Sequence, residues 1–200
     1  MTLGNSIGKG KEGVVREVTS HTSTLGNKDP NHLVVKEFHA GNADPQAEIE
    51  HLRQVGQLHA SGQDENGAVH ALIDKQPGVK LKDTQTYKNA KRGTQRDGIK
   101  YEGAQLVGDA QLRHAETHGI LHKCVVSMHL SLLLYPIYAF RDNHSGNVFF
   151  EEEPDPDNEG RHRLTKANFV DWGKAEQAPE KPSTGYTQKQ KDDIVRYFPS

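Results

Sequence analysis

The chain has 200 residues, enough for one domain or two small lobes sharing a core. Its formal net charge of −2 gives no electrostatic reason to expect nucleic acid or an anionic membrane as the main partner. A single cysteine, Cys124, excludes an intramolecular disulfide framework and reads as a small buried hydrophobe.

Only 33% of the residues are apolar and the mean hydropathy is −0.81, so long solvated loops are expected. The most apolar run, LSLLLYPIYAF from Leu130 to Phe140, is too short to span a bilayer and contains Pro136. The opening MTLGNSIGKG lacks the charged-then-apolar pattern of a signal peptide.

In chain order, residues 3–20 and 32–38 read as valine-rich strands separated by a run of turn residues. Within the first, SIGKGKEGVV places Gly8, Gly10 and Gly13 in a G-x-G-x-x-G pattern. Asp44 and Pro45 open a helix in which Ile49, Leu52, Val55 and Leu58 recur at helical spacing. GQDENG is a turn, AVHALID a short strand, and KQPGVK breaks it. Residues 84–103 are polar and basic, a solvated loop or a poorly buried helix. Residues 104–134 look mostly helical, with Leu130 to Leu134 buried. NVFFEE and KANFVDW are strands joined by the acidic hairpin loop EEEPDPDNEG, and the tail from Glu176 is rich in Pro, Lys and Gln. The fold class predicted is α+β: a small sheet with one helix, a break, then a helical half with a hairpin.

Phosphoryl transfer needs a phosphate cradle, a cation on the α/β-phosphates, metal ligands and a carboxylate beside the attacking hydroxyl. Each has a candidate, in workable order. Gly8, Gly10 and Gly13 let backbone N–H groups approach phosphate oxygens without a Cβ in the way. Val15 would pack on the base. Lys36 ends the apolar strand LVVK, and Glu48 in the next helix could pair with it. Glu50 is the alternative, about 200° around the helix, so both cannot point inward. In FRDNHSGNVFF, Asp142 and Asn147 can aim a carboxylate at a hydroxyl and an amide at a metal. In NFVDWG, Asp171 follows an apolar strand and precedes Gly173, a placement that suits Mg2+.

Together these motifs resemble the protein-kinase fold over about residues 3–175. IGKGKEGVV is similar to the glycine-rich loop, LVVK to the strand carrying the ATP-binding lysine, FRDNHSGN to the catalytic loop and VDWG to the magnesium-binding triplet, with Trp172 in place of Phe. ALIDKQPGVKLKD is similar to the hinge. The resemblance implies Ile73 as gatekeeper, with the backbone of Asp74 and Gln76 meeting adenine. It implies Lys36 on the phosphates, Glu48 paired with it, Asp142 as catalytic base, and Asn147 and Asp171 on Mg2+. It also implies a two-lobed domain, residues 1–75 and 76–200.

The departures are informative. Phe140 stands where the family has a histidine before Arg-Asp, and His144 where it has a lysine. Only 27 residues follow Gly173, so the expected fold has a severely truncated C-lobe and activity without activation-loop phosphorylation. HGILHKC, His118 to Cys124, also echoes the run into a kinase catalytic loop. Cys124 and His129 stand where its aspartate and asparagine should be, so the segment is assigned to a helix with His114, His118 and His122 on one face.

Size, truncation and the Asp-x-His-x-Gly-Asn wording resemble the HopBF family of bacterial type III effectors. That resemblance implies a soluble Ser/Thr kinase delivered into the host cytoplasm, with the heat-shock protein 90 chaperone as substrate. The competing readings are an aminoglycoside- or choline-type small-molecule phosphotransferase and a nucleotide-binding pseudokinase.

Overall fold

The computed structural model describes residues 1–21, 28–40, 44–122, 127–128, 138–139 and 147–195. The chain divides into two compact units, Met1–Gln76 and Pro77–Ser200.

The first unit contains β1 (Thr2–Lys9), β2 (Gly13–Ser20), β3 (Leu33–Phe38), α1 (Pro45–Gln54), β4 (Leu58–Gln63) and β5 (Val69–Asp74). The five strands form one sheet in the order β1-β2-β3-β5-β4, antiparallel throughout. Alternation along a strand sends successive side chains to opposite faces. On one face Val18, Leu33, Val35 and Leu72 form a buried cluster, with Leu3 packed against it. Val34, Lys36 and Phe38 alternate with these along β3 and are also buried.

Helix α1 starts where the sequence places it. Asp44 caps it by accepting from the Ala47 N–H at 2.9 Å, and Pro45 occupies the first turn, where a missing N–H costs nothing. Gly56, at φ +73°, lies just beyond its last turn. Leu58 therefore does not continue the helix, as its spacing suggests. It begins β4, opposite Ile73. That strand, LHASGQ, is largely exposed and has little apolar alternation to announce it.

The second unit begins with a 3-10 turn at Leu81–Asp83, then α2 (Gln85–Asn89) and the 25-residue α3 (Thr94–His118). Short strands β6 (Ile120–Leu121), β7 (Ser127–Met128) and β8 (Tyr138–Ala139) precede the hairpin β9 (Val148–Pro154) and β10 (His162–Phe169). β11 (Glu176–Gln177) and α4 (Gln188–Val195) follow. The basic stretch 84–103 is thus largely helical; Lys88, Lys91 and Arg92 are exposed, while Arg96 is half-buried over the Tyr87 ring.

Two corrections concern the middle of the chain. The helix expected over 104–134 stops at His118, because Gly119 takes the left-handed conformation (φ 66°, ψ 26°) and its N–H closes on the Ala115 carbonyl at 3.1 Å. Residues 119–122 are consequently not helical: Ile120 and Leu121 pair with Gln177 and Glu176. His114 and His118 share the helix, and His122 lies beyond it. The expected burial of Leu130–Leu134 and Cys124 falls outside the described residues.

The tail is part of the core. Ala115, Leu121, Tyr186 and Ile194 form one buried cluster, with Leu112 and Ala178 against it. α4 packs on α3 at Gly108, where an added Cβ would sit 2.6 Å from Val195 Cγ1. Among the described residues, no helix is long and apolar enough to cross a membrane.

Candidate functional site

The candidate residues fall into two groups, one in each unit. In the first unit the glycine pattern forms the turn between β1 and β2, closed by Gly10 N–H donating to the Gly13 carbonyl at 2.9 Å. The glycines differ in why they are needed. A Cβ on Gly13 would lie 2.3 Å from the Glu37 carbonyl oxygen, so the sheet itself demands glycine there. A Cβ on Gly10 would meet nothing within 4 Å. Gly8 sits opposite Val15, with ordinary contact distance to spare.

Val15 is also paired with Lys36, whose other neighbour is Ala71 on β5. Lys36 Nζ lies 2.6 Å from both carboxylate oxygens of Glu48 and 5.1 Å from the centre of the Phe38 ring. Both partners are buried, at 6% and 2% exposure. Helix geometry chooses the partner: Glu50 points the other way, exposed and paired with Arg53. At the end of β5, Ile73 faces Val34 and Leu58 across the sheet. The Asp74 N–H is engaged by the Gln57 carbonyl at 3.0 Å, and its carboxylate meets His59 Nε2 at 2.6 Å. Gln76 is half-buried.

In the second unit the β9–β10 hairpin brings Asn147 and Asp171 to one end. Val148 pairs with Phe169, and the next residue on each strand is tied by Val170 N–H donating to the Asn147 carbonyl at 2.9 Å. Asp171 is exposed while Trp172 beside it is fully buried, so the indole anchors the carboxylate's backbone. Asp171 has φ +67°, the only positive φ at a non-glycine among the described residues. Asp tolerates this region better than most residues, but it still costs on the order of 1 kcal/mol. Asp142 lies outside the described residues, as do Phe140 and His144.

One residue at this end escapes the motif reading. His122 Nε2 lies 3.0 Å from the Val170 carbonyl and 2.8 Å from the Asp171 carbonyl. Two acceptors on one nitrogen require it to carry the proton and donate. Its Nδ1 is buried and meets no partner among the described residues, which fits a neutral ring. Burial holds its pKa below the usual histidine range. The ring stacks on Phe169 (centroids 4.6 Å, 3° between planes) and stands edge-on to Trp172 at 4.9 Å. The buried Gln111 amide of α3 grips the His122 backbone, accepting from its N–H at 2.9 Å and donating to its carbonyl. Gln111 thus fixes His122, and His122 fixes the strained turn at Asp171. The sequence signal is a histidine after the apolar pair Ile120–Leu121. The four-residue spacing from His114 and His118 disguises it as helix. His114, mostly buried against Trp172 at 4.9 Å, is pushed down to about 4, first by burial and then by its neighbours His118 and His122.

No protein-family model and no curated protein sequence matches the chain. Among solved structures it is similar to a chain of the CAK complex from Chaetomium thermophilum bound to ATP-γ-S, with a TM-score of 0.45 and 16% identity. The match covers 89% of this chain and 48% of the other, so the chain spans about half of that structure's length.

Proposed function

We propose that the chain is an ATP- and Mg2+-dependent protein kinase that phosphorylates serine or threonine. The observation that carries this reading is the buried Lys36–Glu48 pair beside the glycine turn. Buried ion pairs contribute little net stability, and an apolar pair would fill the same space as well. A lysine held by a carboxylate next to a glycine-rich turn is what phosphate binding in a kinase requires.

In this reading Lys36 contacts the α/β-phosphates and Glu48 keeps its ammonium aimed. Gly8, Gly10 and Gly13 let the turn's N–H groups reach the phosphates, with Val15, Ile73, Asp74 and Gln76 around the base. An exposed carboxylate and an amide at one hairpin end, Asp171 and Asn147, are hard oxygen donors that fit Mg2+. The bound ion supplies charge neutralisation at the transferred group. Asp142 accepts the proton of the substrate hydroxyl, and His122 keeps the Asp171 backbone in its productive conformation. No covalent intermediate on the protein is required. The resemblance to HopBF effectors motivates the finer proposal that the substrate is the host heat-shock protein 90 chaperone, reached in the host cytoplasm.

The test is transfer from γ-labelled Mg-ATP in a eukaryotic lysate, wild type beside Asp171→Ala. A labelled band near the chaperone's mass, at least tenfold weaker with the variant, is expected. Labelling elsewhere removes the chaperone proposal. Nucleotide-dependent thermal stabilisation without any labelled protein would instead favour a small-molecule phosphotransferase or a pseudokinase.

A further inference from the structure

Twenty-four residues, 123–146, separate His122 from Asn147, yet both flanks are moored to the same residue. Val170 donates its N–H to the Asn147 carbonyl at 2.9 Å, and its own carbonyl accepts from His122 Nε2 at 3.0 Å. The gap between the flanks is therefore on the order of 10 Å, which three or four extended residues cover. Connections longer than about 12–15 residues without secondary structure of their own are uncommon in compact domains, and among its described residues this one holds just the two-residue strands β7 and β8, paired with each other.

The composition of this stretch is discontinuous with its flanks. From Cys124 to Arg141, thirteen of eighteen residues are apolar, against 33% for the whole chain. Arg141 is the one Asp, Glu, Lys or Arg among them, in a chain where such residues make up 26%. Asp142 to Asn147 return to the polar character of the rest. If Lys123 were joined to Asp142, the chain would read ILHK-DNHSGNVFF. The six residues then left between His122 and Asn147 reach about 20 Å, ample for the gap. That joined sequence also removes two anomalies at once. The histidine two positions ahead of the catalytic aspartate becomes His122, already bonded to the Asp171 backbone, instead of Phe140. Cys124 and His129 no longer stand at catalytic-loop positions.

We propose that Cys124–Arg141 is an insertion within one catalytic loop, His122-Lys123 continuing into Asp142–Asn147, and that neither the fold nor the chemistry requires it. The role of Asp142 rests on the kinase reading; the dispensability of the segment does not.

The test uses two variants of the full chain: deletion of residues 124–141, and replacement of the same eighteen residues by Gly and Ser. Both should unfold cooperatively. The deletion should melt about 2–5 °C above the parent, because a shorter loop costs less entropy to close. Loss of the cooperative transition in both variants would overturn the proposal. Loss in the deletion alone would overturn the direct join of Lys123 to Asp142. Transfer from labelled Mg-ATP is the second readout. Wherever the parent transfers phosphate, the deletion should match or exceed it, and adding Asp142→Asn to the deletion should abolish it. A folded deletion variant that is inactive beside an active parent would refute the proposal. A folded but inactive deletion variant beside an inactive parent would leave the insertion standing and remove the kinase reading.

Discussion

Lys36 and Glu48 are the clearest case of residues whose placement works against stability. Each is nearly sealed from solvent, and removing one takes from the other a charge partner held at 2.6 Å. Lys36→Met alone should therefore cost about 3–5 kcal/mol, and the double change Lys36→Met with Glu48→Leu should recover most of it. Neither variant should be stabilised by Mg-ATP. Chemical denaturation with and without nucleotide reads both effects. A double variant as unstable as the single one would mean that the pair holds the fold rather than the ligand. The glycines divide in the same way. Gly13→Ala drives a methyl into the Glu37 carbonyl and should lower the melting midpoint, whereas Gly10→Ala, facing open space, should leave it unchanged and weaken nucleotide binding. Equal effects on stability from the two would contradict this division.

At the scale of elements, much of the first unit was legible in the sequence. Valine-rich β2 and β3, the Asp44–Pro45 start of α1 and the apolar β5 all carry strong local signals. What escaped was decided by single glycines or by distant partners. Gly56 and Gly119 end helices that the apolar spacing would have continued. β4 is an edge strand and β11 has two residues; each exists because of the strand it pairs with. α4 is amphipathic over only eight residues, too few to stand out in a Lys/Gln-rich tail. Among candidate site residues, those in short contiguous motifs could be named from sequence: the glycine turn, Lys36, Asn147 and Asp171. Glu48 was legible only as one of two helix positions. Gln111 was not, because its role depends on α3 meeting the residues that follow it, which no local spacing encodes, and His122 stood only within the HGILHKC echo that was assigned to a helix.

For the molecule as a whole, acid should be destabilising. His114 in the folded chain titrates at about 4, and His122 also lies below the ordinary value of 6.5, both chiefly through burial. Below pH 6.5 the unfolded chain takes up protons that the folded chain refuses. Stability is therefore full above about pH 7 and falls as the pH drops towards 4, by up to about 1.4 kcal/mol per pH unit for His114, with His122 adding loss of the same sign. The melting midpoint should fall between pH 7.5 and 5, and His114→Gln should flatten that fall. A midpoint that rises on acidification would refute it.

The pairing of β6 with β11 and the packing of α3 on α4 also set an order of events during synthesis. All five strands of the first sheet lie within the first 74 residues, so that unit can close while later residues are still in the ribosomal tunnel. The second unit has no such head start. Its Leu121 and Ala115 acquire their cover from Tyr186 and Ile194 only after those residues emerge. Until then a nascent chain presents the patch around Ala115 and Leu121 bare. In this protein the demand for chaperone protection falls on the second half of translation.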